Sequence, residues 1–558
     1  MSIVKGLAPI AALLLLNAAL GFENWSGTPA IWPELRLAPE FVALWLLLLV
    51  AIRAFGAVPK GLVTSLAMVC TFLVIGRYLA VTAPILFGRE INLYWDVPQV
   101  PRFLSVIGQP LAWWQQLLVA SGVVLALWGL YRLLRALVGI LARRAAPAAL
   151  RSIAALAATA GAVAMVAAYA AGVPGTWARV SEPVTPTYAR QAELLFTALL
   201  PDRLASALPP SPPFDSDLAV LKGLDVKLLV LESYGAIAFD HPESRRRLAA
   251  ARDTLARTIA ATGRQVVSAF VRSPTFGGAS DLAHLSLLSG IDLSDPLRHD
   301  LLLASDRPTL LSLFERHGYR TYGFYPALSW DWPERAFYGF DEFLDGPALG
   351  YRGPKFGPWF IPDQYSMARF DELQPTRPDT PPRLLFFPTI TSHFPFRQVP
   401  PYQPDWSRVL SARPFASEDV ERGLAYQVGD WMSLLPEYLR TIEYTYAWLA
   451  GYLEQPSSRD FLMILVGDHQ PASSVTGPDA PWDVPVHVIT SRPELVERFR
   501  ALGFQPGLEP RRPVLGGMHE LTWLLADAFD SKRSLGSLQG SPANHAPTRQ
   551  VPVGTPSH

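Results

Sequence analysis

Five apolar runs fill the first 173 residues and restrict the chain to a membrane-embedded front and a water-exposed remainder. They lie at about 5–22, 38–56, 61–88, 112–141 and 150–173. A helix that crosses a bilayer needs roughly 17–25 such residues. The first run follows Lys5 as a signal-peptide core would, but no small-residue cleavage site clearly ends it and four more runs come after. It is therefore read as a retained helix. Loop charge gives the expected orientation. The loop after the first run is mostly acidic (Glu23, Glu34, Arg36, Glu40), and the third is mixed (Arg89, Glu90, Asp96, Arg102). Arg53 and Lys60 flank the second loop, and Arg132, Arg135, Arg143, Arg144 and Arg151 flank the fourth. Basic loops stay in the cytoplasm. The N-terminus is then cytoplasmic, and five crossings deliver everything after about residue 174 to the outer side.

Lys plus Arg and Asp plus Glu both number 48, so no net charge points to a nucleic-acid partner. The single cysteine, Cys70, lies inside an apolar run and rules out an intramolecular disulfide. Residues 174–215 read as a proline-rich connector with an amphipathic piece around Tyr188–Leu200, open either to lying on the membrane surface or to packing as a short helix. Residues 216–530 read as one soluble domain. The polar tail 531–558, rich in Gly, Ser and Pro, reads as disordered.

Within the soluble domain, apolar strand-length runs alternate with helical patterns. Strands are expected at 226–231, 265–271, 319–325, 383–387, 461–467 and 484–489. Helices are expected at 241–261, through Leu288, and at 309–316, 437–454 and 518–529. This alternation argues for a mostly parallel sheet covered by helices on both faces. In such sheets ligands bind beyond the carboxyl ends of the strands. Four ends carry polar groups: Glu232, the loop Arg272–Asp281 with Thr275 and Ser280, His393, and Asp468-His469.

Each has an ordinary alternative. Asp468-His469 can be a turn with a helix cap, Glu232 a partner of a helix cap, Ser280 itself an N-cap, and His393 a satisfied loop histidine. Together they make a different set: two carboxylates and an imidazole suit a divalent cation, and a hydroxyl beside them suits nucleophilic attack. A cation stabilises the alkoxide form of a serine or threonine and polarises a phosphoryl oxygen. Gly277 and Gly278 leave room for close approach. Trp332 and Arg335 are candidates to hold a polar or anionic headgroup, since the guanidinium fork matches phosphate.

The strand ending in Glu232-Ser233, the Gly-Gly-Ala-Ser-Asp loop, Ser-His-Phe-Pro-Phe around His393, and Gly-Asp-His at 467–469 resemble the alkaline phosphatase superfamily in its membrane-bound sulfatase-like branch. That branch includes lipoteichoic acid synthase and the phosphoglycerol and phosphoethanolamine transferases. The resemblance implies a five-helix membrane domain followed by an alkaline-phosphatase-like (sulfatase-like) α/β domain. It implies metal ligands Glu232, Asp468, His469 and the loop hydroxyl, and a substrate-phosphate contact at His393. It also implies a headgroup segment from Tyr325 through Trp332 and Arg335. The chain departs from the pattern in three places. Ala279 stands where the synthases have threonine, which leaves Ser280 as first choice for the nucleophile and Thr275 as second. Tyr325 stands where they have histidine, which leaves the headgroup unassigned. Cys70 lies in the membrane part and Ser273-Pro274-Thr275 lacks the Cys/Ser-x-Pro-x-Arg spacing of classical sulfatases, which argues against ordinary sulfatase activity.

The expected activity is transfer of a phospholipid headgroup, phosphoethanolamine or phosphoglycerol, to an envelope glycan or lipid acceptor. It would proceed through a covalent phospho-enzyme with Mn²⁺, Mg²⁺ or Zn²⁺, at the outer face of a bacterial inner membrane. The rivals are a phosphatase, phosphodiesterase or sulfuric ester hydrolase of the same fold, and a non-catalytic membrane scaffold.

Overall fold

The computed structural model describes residues 2–539 except 25–28, 88–90, 92, 94–95, 99, 102–103, 105–111, 199–207, 329–331, 333, 357–360, 376–378, 397, 426–432 and 478. Most of the expected tail, from residue 540, lies outside the described residues, as do Arg89, Glu90 and Arg102 of the third loop. The chain forms two compact units, Met1–Leu200 and Pro201–His558.

The first unit is helical. Helices Ser2–Gly21, Pro39–Phe55, Lys60–Phe87, Trp113–Ile140 and Ile153–Ala170 coincide with the five apolar runs. Among the described residues, three segments are long and apolar enough to cross a membrane by length and composition: Lys60–Pro84, Trp113–Ala149 and Ile153–Ala170. Pro39–Phe55 has 17 residues, and the apolar part of the first helix is Leu7–Gly21. Leu16, Leu48, Leu66, Leu137 and Leu141 pack together at the centre of the bundle. At one end, Leu37 pairs with the segment after the last of these helices through Leu37 N–H to Arg179 O (2.8 Å) and Ser181 N–H to Leu37 O (3.1 Å). Nearby, the buried Arg77 donates to the carbonyls of Phe22 (2.9 Å) and Glu182 (2.6 Å) and to Glu23 Oε1 (2.6 Å). The amphipathic piece of the connector is the helix Thr185–Ala198. Tyr188 stacks on Phe72 with ring centroids 4.4 Å apart, in a space that only the missing side chain of Gly76 leaves open.

The second unit holds an eight-stranded sheet. We number its strands β1 (Asp225–Leu231), β2 (Gln265–Arg272), β3 (Arg320–Tyr325), β4 (Glu342–Asp345), β5 (Arg383–Pro388), β6 (Phe461–Gly467), β7 (Asp483–Thr490) and β8 (Gln505–Pro506). Their spatial order is β8-β2-β7-β6-β1-β5-β3-β4. The pairings β6-β1, β1-β5, β5-β3 and β3-β4 are all parallel. β7 runs antiparallel to both β6 and β2. The sheet is thus mostly parallel, as expected. β1 and β6 are buried along their whole length, which is why β6 reads as an unbroken apolar run and β1 as a run interrupted only by the buried Lys227 after Asp225.

The helices Pro242–Ala261 and Leu435–Leu453 cover one face, with Tyr234, Phe270, Trp448 and Leu465 in one core. Several elements were not foreseen: the edge strand β4 and the helices Pro296–Leu303, Asp363–Leu373, Ser417–Ala425 and Pro493–Ala501. All are short, and at that length polar and apolar residues do not separate cleanly by period.

Candidate metal centre and nucleophile

Because β1 and β6 are parallel neighbours in register, with Leu231 opposite Gly467, Glu232 and Asp468 leave the sheet side by side. Glu232, Asp468 and His469 each offer a ligand atom, and these atoms lie within 4.8 Å of one another. His469 Nε2 is 3.6 Å from Glu232 Oε1 and 3.5 Å from Asp468 Oδ2. All three residues are buried.

Local hydrogen bonds aim the ligand atoms. Asp468 Oδ1 accepts from the backbone N–H groups of Ser233 (2.7 Å) and His469 (2.6 Å). Its Oδ2 is buried with no hydrogen-bond partner among the described residues. His469 Nδ1 lies 2.8 Å from Gln470 O. A carbonyl only accepts, so Nδ1 carries a proton and Nε2 is the ring nitrogen that faces the carboxylates. Burial, and after it the charge of Asp468, push the Glu232 carboxyl up to about 8. An orphaned buried oxygen, an imidazole nitrogen and two crowded carboxylates together suit a divalent cation, whose charge would offset that of the carboxylates.

The turn holding Glu232 is tightly specified. Ser233 has φ +53, a left-handed conformation that costs energy for a residue with a side chain. Ser233 Oγ donates to Glu232 Oε1 at 2.8 Å, and Glu232 N–H donates to Thr389 Oγ1 at 3.1 Å. Ser392 Oγ donates to Glu232 O at 2.5 Å, which ties the His393 loop to the same turn. Buried Asp363 accepts from the N–H groups of Ile390 (2.9 Å) and Thr391 (3.1 Å) at the start of that loop. Ser233 enters the sequence analysis only as part of the Glu232-Ser233 motif; Thr389, four residues before His393, and Asp363 carry no local signal there.

The two candidate nucleophiles end up in different surroundings. Ser280 is the first residue of the helix Ser280–Ser289; the N-cap is Ala279, at φ +60, and no side chain caps it. The reading of Ser280 as an N-cap is therefore corrected. Its Oγ lies 3.3 Å from both Glu232 Oε2 and His469 Nε2. Thr275 is fully buried, and its Oγ1 donates to Gly278 O at 2.7 Å within its own loop. Glu232 likewise serves no helix cap: its carboxylate accepts from Ser233 and Ser280.

His393 is half-buried, and its Nδ1 meets Phe394 O at 2.7 Å, so the satisfied-loop reading holds for that nitrogen. Burial pushes its pKa down. Tyr325, Trp332 and Arg335 gather at the end of β3. The Tyr325 and Trp332 rings are 5.0 Å apart, and the Arg335 guanidinium sits 5.3 Å from the centre of the Phe343 ring. This cluster reaches the Ser280 helix through Tyr325 and His284, whose rings are 6.2 Å apart.

Residues 285–488 match the family model described as Sulfatase, a stretch that includes His393, Asp468 and His469. No curated protein sequence matches the chain. Among solved structures, the chain is similar to the lipoteichoic acid synthase LtaP from Listeria monocytogenes, at 14% identity over 50% of this chain and 68% of that one, with a TM-score of 0.32. It is similar to the phosphoglycerol transferase GacH from Streptococcus pyogenes, solved with sn-glycerol-1-phosphate, at 14% identity over 64% and 85%, TM-score 0.37. It is also similar to the C-terminal periplasmic domain of EptC from Escherichia coli, at 12% identity over 60% and 92%, TM-score 0.34. Scores of this size carry no argument beyond the likeness itself.

Proposed function

We propose that the chain, whose residues 285–488 match the Sulfatase family model, is an enzyme of the alkaline phosphatase superfamily that transfers a phospholipid headgroup to an envelope glycan or lipid through a phosphoserine at Ser280. The observation that carries this reading is that Ser280 Oγ, at the first turn of a helix, lies 3.3 Å from both Glu232 Oε2 and His469 Nε2 of the Glu232-Asp468-His469 cluster. Glu232, Asp468, His469 and Ser280 would hold a divalent cation, Mn²⁺, Mg²⁺ or Zn²⁺. When bound, it would supply positive charge where an alkoxide and phosphoryl oxygens gather.

The chain's own residues do the rest. Glu232 Oε2 and His469 Nε2 are the groups placed to take the Ser280 proton. The Ser280 oxygen attacks phosphorus as the bond to diacylglycerol breaks. The free N–H groups of the Ser280 helix favour the phosphoryl oxygens. His393 would contact the phosphate, and Tyr325, Trp332 and Arg335 the headgroup. An acceptor hydroxyl then displaces Ser280. Ordinary sulfate-ester hydrolysis is disfavoured because the loop Arg272–Asp281 has no Cys/Ser-x-Pro-x-Arg spacing.

The test is to incubate the full-length protein with Mn²⁺ and vesicles of phosphatidylglycerol or phosphatidylethanolamine, then map added mass by peptide mass spectrometry. The mass at Ser280 names the transferred group. No adduct with either lipid, under conditions where the protein turns over a simple phosphate ester, favours the phosphatase reading. No turnover at all favours the scaffold.

The same reading puts the second unit outside an inner membrane after five crossings. The basic second and fourth loops support it. So does the pairing of Leu37 with Arg179 and Ser181, because the segments after the first and last helices then share one side of the bundle. A phosphatase reporter fused at the C-terminus should be active only if exported. Activity of a cytoplasm-dependent reporter at that position would overturn the reading.

A further inference from the structure

A chain of four buried side chains runs from the sheet to the turn that carries Glu232, and the mechanism above leaves it without a role. Ser268 on β2, His487 on β7, Tyr234 after β1 and Tyr446 on the helix Leu435–Leu453 are each no more than 3% exposed. Ser268 Oγ is 2.6 Å from His487 Nδ1, His487 Nε2 is 3.1 Å from Tyr234 Oη, and Tyr234 Oη is 2.6 Å from Tyr446 Oη.

One end sets the direction of every bond. Ser268 Oγ also lies 2.6 Å from Gly507 O, which only accepts, so the single serine proton goes there. Ser268 must then accept from His487 Nδ1–H. Burial keeps that imidazole neutral, its pKa down at about 3, so Nε2 is a bare acceptor. Tyr234 donates its proton to it and in turn accepts from Tyr446. Every polar atom has one role and no alternative arrangement satisfies all of them, which makes the chain a rigid strut rather than a proton path.

Tyr234, inside the strut, lies one residue from the strained Ser233 and two from Glu232. The backbone on the other side of Tyr234 is held just as closely. At Gly467 a Cβ would fall 1.8 Å from Tyr234 O, and at Gly235 one would fall 1.9 Å from Gln470 Oε1. Ser233 alone cannot keep its unfavourable φ; the residue after it must be anchored.

We propose that Tyr234 and His487 are positioning residues for the metal ligand Glu232: they fix the Glu232-Ser233 turn so that its carboxylate meets Asp468 and His469 before any cation arrives. The inference rests on the metal-site reading above. It assigns the strut no contact with substrate.

The test is isothermal titration of the full-length protein with Mn²⁺, comparing wild type with Tyr234→Phe, His487→Phe, the double variant and Tyr446→Phe, with a melting curve for each. Loss of partners behind a ligand typically weakens a metal by 10–100-fold. Tyr234→Phe and His487→Phe should each weaken Mn²⁺ by about 10-fold, and the double variant little more, because both remove the same hydrogen bond. Tyr446→Phe leaves the Tyr234–His487 bond intact and should weaken Mn²⁺ less. It also decides the matter if the two central variants do not fold: affinity unchanged from wild type then overturns the proposal, and a measurable loss supports it. Folded Tyr234→Phe with wild-type affinity, even with a lower melting temperature, would show a purely structural strut and overturn the proposal alone. A wild type that binds no Mn²⁺ would overturn the metal site and the strut's role together.

Discussion

Asp468→Asn should abolish metal binding and lower turnover at least 100-fold while leaving the protein folded. The asparagine carbonyl oxygen can still accept from the N–H groups of Ser233 and His469, as Asp468 Oδ1 does. What disappears is the charge on Oδ2, the buried oxygen with no hydrogen-bond partner among the described residues. Changes one shell further out cost about 10–100-fold in metal affinity, so loss of a ligand should cost no less. Asp468→Ala should have the same effect on metal and a further cost in stability. It orphans two buried N–H groups at about 1–3 kcal/mol each. Metal content by mass spectrometry and melting curves separate the two variants. Near-normal turnover with unchanged metal content in folded Asp468→Asn would remove Asp468 from the ligand set.

Ser280→Ala should form no phospho-enzyme, whereas Thr275→Ala should still form one. Ser280 occupies the first helical position and caps nothing, and its hydroxyl makes only the two 3.3 Å contacts to Glu232 and His469. Its removal should therefore leave the melting temperature close to that of wild type and take away the chemistry. Thr275 presents the opposite case. Its hydroxyl is committed to Gly278 O inside a closed loop, so alanine there should cost about 1 kcal/mol of stability through one lost hydrogen bond and leave the nucleophile in place. The check is trapping of labelled lipid headgroup on each folded variant. An adduct that persists in Ser280→Ala, or that maps to Thr275, would reverse the assignment.

Much of this site could be read along the chain. β1 and β6 are buried on both faces, so each ends in an apolar run, Leu228–Leu231 and Phe461–Val466, that stops where the chain leaves the sheet. Polar residues directly after such runs must sit at the carboxyl edge, and this groups Glu232, His393 and Asp468-His469 from the sequence alone. The helix Met518–Phe529 matched its expected bounds because twelve residues are enough for the 3.6-residue period to show.

What lay beyond the sequence has a common cause: it depends on pairings between residues far apart in the chain. The antiparallel course of β7 is invisible in its composition, since a strand buried on both faces reads alike in either direction. The choice between Ser280 and Thr275 turned on backbone angles. Gly277, Gly278 and Ala279 all take positive φ, and that path swings Ser280 toward a carboxylate 48 positions away while folding Thr275 back on its own loop. Asp363 and His487 showed no signal because each acts through a contact set only when the strands assemble, with Ile390 in one case and with Ser268 and Tyr234 in the other. By itself the sequence determined which residues reach the edge of the sheet, because burial period is a local property. The tertiary structure alone decided which of them meet, because strand order, backbone handedness and shared hydrogen bonds are properties of the whole domain.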